Sequence, residues 1–132
     1  MFDELEVQNY LLSKPHTSLD FPFGKDVSVF KVKGKMFATL ALGKISKQAL
    51  QSDDDKQSWW LNLKCDPDEA LMLRDIFPSV IPGYHMNKKL WNTVILDGSM
   101  PKGEIERLID NSFLLVVSKM TKADRKMISL HL

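Results

Sequence analysis

The chain has 132 residues, 44% hydrophobic and 27% charged, with a formal net charge of +1 at neutral pH. This is ordinary globular composition, and residues 1–132 are read as one domain able to close its own core. A lone cysteine, Cys65, excludes an intrachain disulfide and a cysteine-rich zinc module, and no apolar run approaches the roughly 20 residues that cross a bilayer.

In chain order, residues 3–14 are predicted to be helical. Asp3 stands as N-cap with Glu6 at capping-box spacing; Leu5, Leu12 and either Val7 or Leu11 supply an apolar face, and Pro15 ends the helix. Residues 16–26 read as a loop, pinned to the core by Phe21 and Phe23. A hairpin follows: the alternating run 27–32, a tight turn at Lys33-Gly34, and a second strand over 35–42. Gly43 to Asp55 is a polar loop, and Asp53, Asp54 and Asp55 within it lack the spacing of a calcium loop.

The third strand is 58–65. Its adjacent Trp59 and Trp60 must point to opposite faces. Core packing is the favoured reading for both, the other being that one lies exposed as a stacking platform. Asp66-Pro67-Asp68-Glu69 is the sharpest local signal: Asp66 caps a helix, Pro67 takes its first position, and Pro78 stops it. Residues 80–86 form a short strand or extended arm, and 91–96 a strand ended by Asp97-Gly98. After Pro101, Ile105, Leu108, Ile109, Val116, Val117 and Met120 repeat at helical spacing. Thr121 restarts a last short helix over 122–130. The fold class is therefore α/β of the α+β kind: an antiparallel sheet of about five strands, covered on one face by helices.

Charge is distributed unevenly. Residues 25–47 hold six lysines against Asp26, and residues 119–126 hold Lys119, Lys122, Arg125 and Lys126 against Asp124. One basic face on a nearly neutral protein is the implied arrangement. Lys31, Lys33 and Lys35 suit a phosphate-facing hairpin, or equally a solvated or protected sheet edge. Tyr84, His85, Asn87, Lys88, Lys89 and Trp91 form the densest polar-aromatic cluster. It is either a ligand or nucleic-acid contact, or a structural corner in which Asn87 caps a single turn and Trp91 fills core. His16, His85 and His131 have no zinc spacing, and no phosphate-binding glycine loop or nucleophile motif is present. Cys65 has no evident basic partner and reads as inert.

The run PGYHMNKKLWNTVILDGSMP at 82–101, with KCDPDEALMLRDIFPSVIPGYHM before it and the upstream hairpin, resembles the MmcQ/YjbR family over about residues 3–130. The resemblance implies a CyaY-like fold, related in shape to bacterial frataxin-like iron proteins, and a proposed DNA-binding role in which antiparallel hairpins act as paired wings. Here those wings are 27–42, with Lys31, Lys33 and Lys35, and part of 80–96, with Lys88 and Lys89. The family commonly has a histidine just before the tryptophan; this chain has Leu90. An iron role would need acids on the first helix, where only Asp3, Glu4 and Glu6 are available.

The functional expectation is thus a DNA-binding accessory protein of weak sequence specificity, without cofactor or metal. The acidic opening MFDELEVQNY is no secretory signal, so the cytoplasm is the expected compartment and a monomer the default. Two alternatives stand beside it: a protein-interaction or small-ligand domain using 82–92, and an enzyme with a site assembled around His85.

Overall fold

A computed structural model describes residues 2–44, 57–83 and 86–130. The expected loop aspartates 53–55, and Tyr84, His85 and His131, lie outside the described residues. The elements are α1 (Glu4–Leu12), β1 (Thr17–Asp20), β2 (Val27–Val32), β3 (Lys35–Lys44), β4 (Gln57–Lys64), α2 (Pro67–Ile76), β5 (Val80–Pro82), β6 (Trp91–Leu96), α3 (Lys102–Ser118) and α4 (Lys122–Ser129). The strands form one antiparallel sheet of six, in the order β1-β2-β3-β4-β6-β5.

The helix starts follow from their caps. The Asp3 carboxylate accepts from the Glu6 N–H at 2.9 Å, that of Asp66 accepts from Asp68 and Glu69, and the Thr121 hydroxyl accepts from the Asp124 N–H at 3.2 Å. The β2–β3 turn is also as expected: Lys33 and Gly34 have φ of 50° and 79°, the pair of left-handed residues that a two-residue hairpin turn of matching twist requires.

Helices cover one face of the sheet. Phe30, Ala38, Leu40, Leu61, Leu63 and Val94 point from it into a core shared with Val7 and Leu11 of α1 and Ile105, Leu108, Ile109, Phe113 and Val116 of α3. Phe37 meets Phe113 edge to face at 5.5 Å between ring centroids.

Four expectations are corrected. The sheet has six strands, because residues 17–20 form edge strand β1, paired from Thr17↔Val32 to Asp20↔Val29. On α1 the buried residues are Val7 and Leu11, one helical turn apart; Leu5 and Leu12 face outward. Phe21 and Phe23 are 46% and 68% exposed and do not pin their loop to the core. Trp59 packs against the helix-covered core, but Trp60 sits on the other face of the sheet.

Candidate functional site

The site is built around an irregularity in the sheet. Phe30 pairs with Ala38, but Lys31 pairs with Met36, so Phe37 is an extra residue on β3. The regular β3–β4 ladder runs only as far as Ala38↔Leu63. Beyond it, the fully buried Ser112 of α3 takes over: its hydroxyl donates to the Phe37 carbonyl at 2.6 Å and accepts from the Lys64 N–H at 2.9 Å. One side chain thus satisfies two backbone groups that the bulge leaves without a strand partner, and it fixes α3 against the ends of β3 and β4.

The C-terminal end of α3 and the start of α4 therefore stand beside the β2–β3 turn. Lys33, Lys35, Lys64 and Lys119 line one cleft of about 430 Å³, with Met36 and Met120 among its apolar walls and Thr121 and Asp124 at its margin. Lys33 Nζ lies 3.6 Å from an Asp124 carboxylate oxygen and 3.4 Å from Met127 Sδ. Among the described residues, no carboxylate pairs with Lys35, Lys64 or Lys119. Lys31, by contrast, reaches away to Asp20 on β1 at 3.1 Å, an ion pair that helps hold the Asp20 carboxyl below its ordinary range after the Phe21 N–H bond. Lys33 and Lys35 are thus brought together with two lysines not singled out as contacts beforehand, and Lys31 is not.

The second predicted segment forms a hydrogen-bonded corner. The Asn87 carbonyl accepts from the Trp91 N–H at 2.9 Å, and its side-chain oxygen accepts from the Lys89 N–H at 2.9 Å. Lys88 Nζ donates to the Gly83 carbonyl at 3.1 Å, and Lys89 is exposed. Arg74 on α2 clasps this corner: Nε donates to Asn92 Oδ1 at 2.7 Å, and Nη2 donates to the Lys88 carbonyl and, at 3.4 Å, to that of Trp91. No local motif marks Arg74; its partners lie 14 to 18 residues away. Trp91 is half-buried and pairs in register with Lys64, so the corner adjoins the lysine cleft across one strand spacing.

On the sheet face away from the helix-covered core, a second cleft of about 380 Å³ is lined by Phe23, Met36, Ala41, Gly43, Trp60 and Met86, with Thr39 and Asn62 as its polar edge. Thr93 Oγ1 donates to Asn62 Oδ1. The Trp60 ring lies directly against Gly43, where any Cβ would collide with the indole.

Several of the acids are neutralised elsewhere. Arg107 bridges Glu104 at 2.6 Å and Glu69 at 3.0 Å, and Asp110 accepts from the Tyr10 hydroxyl at 2.8 Å and pairs with Lys14. Burial, reinforced by Glu69 and Asp66, pushes the Cys65 thiol up to about 11, which removes it as a nucleophile near neutral pH. No cluster of three metal-ligating side chains occurs among the described residues, and no helix there is long and apolar enough to cross a membrane.

The YjbR family model matches residues 12–115. The chain belongs to the YjbR family. Two YjbR-type relatives are YbdF of Escherichia coli, 36% identical over 87% of this chain and 84% of its own length, and YyaQ of Bacillus subtilis, 31% identical over 87% and 98%. Among solved structures, the DUF419-domain protein DR2400 of Deinococcus radiodurans matches with a TM-score of 0.78 at 35% identity, covering 96% of this chain and 88% of that one. A Pseudomonas syringae protein matches with a TM-score of 0.72 at 33% identity, over 86% and 97%. The names of these YjbR-type proteins state no activity.

Proposed function

We propose that this YjbR-family protein is a cytoplasmic DNA-binding accessory protein of weak sequence specificity, built on a CyaY-like scaffold, that holds phosphates in the lysine cleft beside the β2–β3 turn. One observation carries the reading: Lys33, Lys35, Lys64 and Lys119 converge on one cleft, and no carboxylate among the described residues pairs with the last three. Four ammonium groups that share a single carboxylate, Asp124, repel one another, and an incoming phosphate relieves that repulsion and releases its own counter-ions. Lys88 and Lys89 belong to the corner whose Trp91 pairs with Lys64, with the Lys88 ammonium held on the Gly83 carbonyl, and Lys31 contributes from the hairpin only by exchanging Asp20 for a phosphate. Backbone contacts of this kind carry no base code, which is why specificity is weak.

The test is fluorescence anisotropy with labelled DNA at about 50 and about 200 mM salt. Engagement of three to four phosphates gives a log–log salt slope of about −3. The triple substitution Lys33→Glu, Lys35→Glu and Lys119→Glu abolishes the binding. A folded protein that binds no DNA at the lower salt overturns the proposal.

A further inference from the structure

The described residues that line the cleft around Trp60 include no lysine. β4 places Trp60 on the outer sheet face, where its ladder partner is Ala41, and Gly43 pairs with Ser58 two positions on, on the same face. Two small residues on that face, Ala41 and Gly43, let a large ring lie down on the sheet instead of standing off it, and the ring covers Gly43. Phe23, 68% exposed, and Met36 and Met86 flank the cleft it lines. Met36 lines both this apolar cleft and the lysine cleft. Along β4, Trp60 and Lys64 are four residues apart, about 13 Å at the strand rise.

We propose that the two clefts are one composite site for single-stranded DNA: an unpaired base stacks in the Trp60 cleft while neighbouring phosphates lie along Lys64, Lys35, Lys33 and Lys119. This rests on the phosphate-contact reading above and names the form of nucleic acid. An aromatic ring in an apolar cleft on a sheet face accepts the π-face of a base, a surface that a duplex keeps inside its stack. The roughly 13 Å between the Trp60 and Lys64 positions on β4 is spanned by about four nucleotides or fewer at 3.4 Å or more each. A free nucleotide does not suffice, because an exposed lysine–phosphate pair is worth only about 0–1 kcal/mol, and several successive phosphates are needed.

The experiment compares, by anisotropy at low salt, a labelled oligothymidylate, an abasic strand of the same length and charge, and a duplex of that length. The unsubstituted protein binds the oligothymidylate about 5- to 100-fold more tightly than the abasic strand, the range expected for one stacked base. Trp60→Leu removes that preference and Trp60→Phe keeps most of it. Equal binding of abasic and thymidylate strands overturns the base cleft while leaving the lysine reading intact. Absence of all binding overturns both. Tighter binding to the duplex than to the single strand overturns the single-strand assignment, as does full competition by thymidine monophosphate at the oligonucleotide's own working concentration. The abasic comparison is made on the unsubstituted protein, so the outcome does not depend on the variants folding.

Discussion

Replacing Ser112 by alanine removes one oxygen atom from the centre of the fold. That oxygen serves the Phe37 carbonyl at 2.6 Å and the Lys64 N–H at 2.9 Å, in a side chain with no solvent exposure. Alanine leaves both groups without a partner. A buried unsatisfied polar group costs about 1–3 kcal/mol, so the expected loss for the two is about 2–6 kcal/mol, a large share of the roughly 5–15 kcal/mol typical of a domain. For a chain of this size that lowers the melting temperature by roughly 7–22 °C. Urea unfolding followed by circular dichroism reads the loss directly, with the midpoint falling and the slope unchanged. Ser118→Ala on the same helix is the control: its exposed hydroxyl only back-bonds to the Leu115 carbonyl, and its removal costs under about 0.5 kcal/mol. A Ser112→Ala loss as small as that of the control refutes the reasoning, since it means that water or a backbone shift satisfies both groups. The DNA binding proposed above gives a second readout, because the same hydroxyl anchors the backbone of Lys64.

Other outcomes follow from features of the same structure. Gly43→Ala drives a methyl into the Trp60 ring, destabilises the fold by about 1–3 kcal/mol, and shifts the tryptophan emission spectrum as the indole is displaced. Gly34→Ala meets no neighbouring atom, so it costs only the strain of a left-handed alanine, about 1–2 kcal/mol, seen in the same urea experiment. Asp66→Ala removes the acceptor for two helix N–H groups and costs about 0.5–2 kcal/mol, again without change of slope. Cys65 ionises near 11 in the folded chain against 9.0 ordinarily, so the native state holds the proton more tightly. Stability from this group is therefore full below pH 9 and falls as pH rises from 9 towards about 11. At pH 8 the folded protein resists alkylation by iodoacetamide, and the unfolded protein does not.

Local chemistry was legible in the sequence where a single residue decides it. Asp66 before Pro67, Thr121 before Asp124 and the Lys33-Gly34 turn each close a hydrogen bond or set a dihedral within four residues, and each stands where expected. β1 was not legible, because Thr17–Asp20 is four residues of alternating half-buried and exposed side chains that become a strand only by pairing with β2. Phe21 and Phe23 misled for the opposite reason: hydrophobic size says that a ring gains from burial, not that the chain can deliver it there. The basic segments 25–47 and 119–126 were visible, but their convergence was not. It depends on Ser112 meeting Phe37 across 75 residues of chain, and on the bulge that leaves those backbone groups in need of a partner.

The two ends of the sheet are unlike, and this limits how copies of the molecule can associate. β5 is three residues long and closes with Pro82, which has no N–H to offer an incoming strand. β1, at the other end, keeps an ordinary backbone along Thr17–Asp20. A sheet that can accept a strand at both ends can grow into a filament, whereas a sheet that can accept one at a single end can only pair with its like and stop. Among the described residues, a joining of sheets through β1 closes at a twofold dimer, and the short proline-ended β5 disfavours growth from the other end.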